Sequence, residues 1–252
     1  MTSEVQPHTP GLHPEPELLS FGPAPRRRLS RRARWMAGIV VAVALAFGIW
    51  RLLPQPPPDF SLADLQGVYT GMVRSDGTNS VSTLSRDKLT ELPVSVSPAT
   101  CSPLFDATLS NQFPAAAQDG VTTFWLDDGS ASISLMTFRF ADAAAARIQF
   151  DRVQSALAAC AGDGLTIDGR SDVTVAGQPV TALPEVKNYV SYQLSAAPGT
   201  SRFTTDVAQL DNTVTWQYRY EYRRSAESSS SAAQQLMASL VTQLRDVQAT
   251  ER

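Results

Sequence analysis

Two cysteines, Cys101 and Cys160, and the absence of histidine after His13 bound the chemistry open to this 252-residue chain. Ser-His hydrolysis, Cys-His catalysis and histidine-ligated zinc all need an imidazole that residues 14–252 do not contain. Two-carboxylate hydrolysis stays open on composition, because residues 54–252 hold 21 Asp plus Glu. It would need two acids facing each other across a groove at about 5–10 Å. The most conspicuous acidic pair, Asp127-Asp128, precedes Gly129 between two β-rich runs and reads as the tip of a hairpin. Lys88 and Lys187 could serve a serine-lysine dyad only on paper, and the serine run 228–231 reads as a solvated helix start. The sequence names no catalytic residue, no metal ligand and no cofactor.

What remains is binding. Trp216, Tyr218 and Tyr220 alternate with polar residues along one strand-like run, and such a row can wall a cleft for a sugar, lipid or peptide. The preferred reading of the same row is the core face of a sheet beneath the last helix, with Arg219 on the opposite face in solvent. Cys101 and Cys160 form one disulfide most simply if their compartment is oxidising. Two free buried thiols are the alternative, and a metal site would leave zinc short of ligands. A bridge closing a loop of roughly 60 residues contributes up to about 4 kcal/mol in the chain-entropy account.

The compartment follows from residues 31–58, RRARWMAGIVVAVALAFGIWRLLPQPPP, the one long apolar run. Trp35 to Leu53 spans 19 residues, roughly 28 Å as a helix, close to the hydrocarbon thickness of a bilayer. Arg51 sits near its far end, and Trp35 and Trp50 lie near its edges. Arg26, Arg27, Arg28, Arg31, Arg32 and Arg34 crowd the near flank, which the positive-inside rule keeps in the cytoplasm. The expected organisation is a disordered cytoplasmic tail at 1–34, a single-pass signal anchor at 35–53, a Pro-rich linker at 54–59 and an extracytoplasmic domain at 60–252. A cleaved signal with Ala44-Leu45-Ala46 at its cut site is the competing reading, and the apolar run continues past that point to Trp50. The exported part carries 14 Lys plus Arg against its 21 acids, a net charge of −7, so nucleic acid is not among the expected partners.

The elements that would position these residues are an α+β set, an antiparallel sheet packed against helices. A weak helix is expected from Phe60 through SLADLQGVYTGMV, then a polar loop, RSDGTNSVSTLSRDK, and short helices and loops over 90–120. Residues 122–126 and 131–140 read as strands. Asp142 is a plausible N-cap for a helix whose Ala146, Phe150, Val153, Leu157 and Cys160 form one stripe, stopped by the glycines of AGDG. Runs near 172–176, 186–196, 202–210 and 213–222 form a meander with turns at Pro198-Gly199 and Asp211-Asn212. A last helix from 228–231 to about Val247 carries Leu236, Leu240, Leu244 and Val247 on one face.

The stretch FRFADAAAARIQFDRVQSALAACAGDG, the earlier PATCSP and the later sheet with a terminal helix resemble the extracellular sensor domain of mycobacterial serine/threonine kinases of the PknH type and of related anchored proteins. The resemblance spans roughly 60–247. It implies an α+β domain with a cleft for an extracytoplasmic ligand in the cell envelope. This chain departs from the family in having one cysteine pair where two disulfides are common, and Leu157 where a tryptophan often precedes the helix cysteine. It carries no glycine-rich phosphate loop or kinase catalytic-loop signature. The expected role is a non-catalytic ligand-binding or sensor-like domain, its partners the membrane and an extracytoplasmic small molecule or envelope protein. The alternative is an envelope scaffold or secretion-associated protein acting through protein contacts, and a carboxylate hydrolase stands last.

Overall fold

In a computed structural model of the chain, residues 59–72, 80–87, 94–107, 113–127, 131–162, 164–178, 186–195, 202–221 and 228–250 are described. Among these no helix is long and apolar enough to cross a membrane. The tail, the 35–53 span and all of the linker but Asp59 lie outside them, as does the Pro198-Gly199 turn.

Among the described residues nine strands form one sheet in the order β1-β3-β4-β9-β8-β7-β6-β5-β2, every neighbour antiparallel. β3 (Asp119–Asp127) and β4 (Ala131–Arg139) are a hairpin in register from Asp119↔Arg139 to Asp127↔Ala131. Helix α2 (Ala143–Cys160) then carries the chain to the far side of the sheet. From there β5 (Gly164–Ile167), β6 (Arg170–Gly177), β7 (Asn188–Ser195), β8 (Arg202–Leu210) and β9 (Thr213–Glu221) meander back until β9 pairs with β4. β1 (Val81–Leu84) and the two-residue β2 (Val96–Ser97) are the edges.

Local chemistry explains the element ends. α1 (Leu62–Met72) begins with a reciprocal cap, Ser61 N–H donating to Asp64 Oδ2 at 2.7 Å and Asp64 N–H to Ser61 Oγ at 3.2 Å. Asp142 accepts the Ala145 N–H at 2.8 Å as the N-cap of α2. Asp168 (φ 49°) and Gly169 (φ 79°) form the two-residue turn between β5 and β6, where Gly takes positive φ at no steric cost. The polar loop expected at 74–88 contains β1, and β2 and β5 are likewise strands beyond those expected.

The strand pattern buries both faces of the sheet. On the first face Phe138, Val207, Val214 and Trp216 pack with Phe150, Val153 and Cys160 of α2. On the second, Val121, Leu135 and Ala208 pack with Leu65 and Tyr69 of α1 and with Met237, Leu240 and Leu244 of α3 (Ser228–Thr250). This double cover overturns two expectations. Trp216 lies beneath α2, not beneath the last helix, and Arg219 is buried, with 3% exposure, because the polar side of β9 is covered as well.

Candidate functional site

A groove of about 560 Å³, open to solvent, runs between α2 and the 3-10 helix Ala99–Leu104. Thr100 and Pro103 supply one wall; Ile148, Asp151, Arg152, Ser155, Ala156 and Ala159 supply the other. Its geometry follows from the sequence. The buried stripe of α2 is Ala146, Gln149, Phe150, Val153, Ala156 and Cys160, so residues one position off it face outward or along the rim. Ile148 is 64% exposed there.

The two walls are joined covalently. Cys101 and Cys160 form a disulfide with Cα atoms 6.0 Å apart, and both are shielded from solvent. Tyr192 donates its hydroxyl to the Leu104 carbonyl at 2.6 Å, tying the 3-10 helix to the sheet as well. Burial pushes the Tyr192 phenol up, and Thr205 partly opposes that, so it stays a neutral donor.

Charge along the groove is mostly compensated. Asp151 accepts from Arg147 Nε at 2.7 Å. Arg152 donates to Gln149 Oε1 at 3.4 Å. Burial raises the Asp106 carboxyl, against the nearby Arg152 charge and Gln149. Ile148, Pro103, Ala156 and Ala159 offer apolar contact, while Thr100 and Ser155 offer hydroxyls. Asp151 is the single carboxylate among the lining residues. Such a surface can hold a ligand by contact and a few hydrogen bonds. It does not present two acids facing each other.

The aromatic row lies elsewhere. Trp216 is fully buried, edge-on to Phe138 with centroids 5.6 Å apart, and its Nε1 has no hydrogen-bond partner among the described residues. Tyr218 stacks on Phe203 at 5.4 Å, and Tyr220 tilts against the same ring at 4.6 Å. Both tyrosines are half-buried. Burial pushes the Tyr218 phenol up, with the Tyr220 and Tyr192 hydroxyls acting in the same direction. None of the three lines the groove.

A second group, absent from the sequence reading, occupies the opposite face. Asp206 is 2% exposed; its Oδ1 accepts the Tyr189 hydroxyl at 2.5 Å and its Oδ2 lies 3.5 Å from Gln217 Nε2. Burial raises the Asp206 carboxyl above the ordinary carboxylate range, opposed by Tyr189 and Ser191. Nearby, Tyr69 of α1 meets Thr137, and Thr137 meets Thr215, each at 2.7 Å. The only cue in the sequence is an acid in mid-strand, FTTDVAQL. Among the described residues no group of three or more His, Cys, Asp or Glu could hold a metal ion.

No family profile matches this sequence, and no curated protein sequence matches it significantly. Solved structures do match. Strand order and helix placement define an α+β fold, and one solved structure shares it. That structure is the extracellular domain of PknH from Mycobacterium tuberculosis, which matches at 15% identity and a TM-score of 0.53, over 76% of this chain and 100% of that one. An uncharacterised Mycobacterium smegmatis protein, the Rv0999 ortholog, matches at 15% identity and a TM-score of 0.41, over 75% of this chain and 98% of that one. The PknH match shows that the two chains share a fold.

Proposed function

We propose that this chain is a single-pass, N-in membrane protein of the actinobacterial envelope whose exported domain is a non-catalytic, sensor-like module. It binds an extracytoplasmic ligand in the groove between α2 and the 3-10 helix. The observation that carries the reading is the groove itself: two walls of different elements, one buried disulfide beneath them, and contact groups exposed along the rim. A bridge of this kind persists in an oxidising compartment, which agrees with the arginine flank before residue 35. The PknH extracellular domain, an exported domain by its name, supports the same location by its shared fold. The row Trp216, Tyr218 and Tyr220 takes the role of packing beneath α2 and against Phe203.

The scaffold reading draws on one observation, the 64% exposure of Ile148 at the rim, which an envelope protein could cover. Two measurements test the assignment. A carboxyl-terminal alkaline phosphatase fusion is expected to be active and a green fluorescent protein fusion dark, and the reverse pattern refutes export. Extracts of the full-length chain purified from an actinobacterial host are expected to contain one small molecule that the groove-filling variant Ala159→Trp lacks. Identical extracts, with a membrane protein captured by wild type alone, support the scaffold.

A further inference from the structure

The turn between β8 and β9, Asp211-Asn212, gathers separate parts of the chain. Asn212 is 1% exposed. Its Oδ1 accepts the Phe60 N–H at 2.9 Å, and its Nδ2 donates to the Phe60 carbonyl at 3.1 Å and the Phe140 carbonyl at 3.4 Å. Its own carbonyl accepts the Phe140 N–H at 2.8 Å. Phe60 directly follows the linker 54–59, and Phe140 leads into α2. Gln248, in the last turn of α3, donates to Asp211 Oδ2 at 2.7 Å. One short turn therefore holds the start of the domain, the approach to α2 and the end of α3.

A string of side chains runs from the groove to the same turn. Asp151, a groove residue, accepts from Arg147 Nε at 2.7 Å. Arg147 Nη1 donates to Asn188 Oδ1, and Asn188 Nδ2 donates to Gln209 Oε1. Gln209 Nε2 donates to the Asp211 carbonyl at 2.6 Å. The links pass from α2 across β7 and β8 without a gap.

We propose that the Asp211-Asn212 turn is a coupling element: a ligand with an ammonium or guanidinium group that takes Asp151 from Arg147 loosens the hold of Asn212 on Phe60. The inference rests on the sensor-like reading of the groove. The Arg147 and Asp151 side chains are 46% and 48% exposed, so a cation arriving from solvent reaches that carboxylate. Once released, Arg147 keeps only the Phe150 ring, 5.8 Å from its guanidinium carbon, to orient it, and its hold on Asn188 weakens. Coupling needs an element with two discrete arrangements, and Phe60 supplies one. Docked, it is 2% exposed with both backbone groups on the Asn212 amide; undocked, it exposes its ring and its backbone groups. The step between them is a local opening, of the kind that amide exchange reads.

The test is hydrogen exchange at the Phe60 amide in the full-length chain, held in phospholipid nanodiscs and resolved by fragmentation mass spectrometry. Arg147→Ala and Asp151→Asn are each expected to speed Phe60 exchange about three- to fivefold, the scale of one half-exposed ionic link, while the Leu135 amide of β4 keeps its rate. Arg152→Ala, on the same helix and in the same groove but outside the string, is expected to leave Phe60 unchanged. Equal Phe60 rates in Arg147→Ala and wild type overturn the proposal, and so does an acceleration shared by Leu135. An empty groove would defeat the sensor-like reading without altering these rates, so the two failures are distinguishable.

Discussion

The two faces of the sheet are built by opposite means. On the first, α2 and the 3-10 helix are stapled by Cys101–Cys160 over an aromatic core of Phe113, Phe138 and Trp216, and a groove stays open between them. On the second, α1 and α3 close over the strands, and polar groups meet each other in pairs: Tyr69 with Thr137, Tyr189 with Asp206. The covalent link ties together the two walls of the open groove. On the second face no disulfide joins the helices, and the Tyr69 and Tyr189 hydroxyls are each paired, as an unpaired buried donor would cost stability. The open groove lies on the first face and the buried polar pairs on the second.

The largest expected effect breaks the first face outright. Trp216→Ala is expected to destabilise the domain by about 3–5 kcal/mol, read by denaturant unfolding. Replacing both Cys101 and Cys160 by alanine is expected to cost about 2–4 kcal/mol and, separately, to widen the groove and abolish its occupancy. A loss of binding with unchanged stability would mean that the bridge shapes the site without supporting the fold.

The third prediction probes the second face through pH. Burial raises the Asp206 carboxyl, so the folded state holds that proton more tightly than the unfolded chain does. The stability this contributes is present at and below the ordinary carboxylate range and is lost as pH rises through the folded value. Asp106, also raised by burial, acts in the same direction. Asp206→Asn is expected to flatten part of this decline in urea unfolding as pH rises above the ordinary carboxylate range, and to be at least as stable as wild type above it. An unchanged slope would mean that Asp206 does not titrate in that window. The smallest effect sharpens the comparison: Ile148→Ser, at an exposed rim, is expected to change stability by under about 0.5 kcal/mol while weakening ligand retention.

Much of this arrangement was legible in the residues. The Asp142 cap, the stripe ending in Cys160, the meander and the Asp211-Asn212 turn all follow from short-range chemistry, and they appear where the pattern places them. Three strands escaped for different reasons, the two-residue β2 because it is too short to show any alternation. β1 is four residues inside a polar, Ser-rich stretch, too short for alternation to register, and β5 was signalled only by the Asp168-Gly169 turn that follows it. The burial of Arg219 and Asp206 was illegible for a deeper reason. Alternation tells which residues share a face; it does not tell whether a helix from elsewhere in the chain covers that face. The groove is in the same position, since Ile148, Asp151 and Ser155 stand off the apolar stripe that reveals α2.

The most direct test of a working face and a structural face is an experimental structure of the full-length chain purified from its own host, with density for bound non-protein atoms examined on both sides of the sheet. The account predicts a ligand against Ile148, Ser155 and Ala159, within reach of Asp151. An empty groove with a ligand seated beside Asp206 and Tyr189 would contradict it.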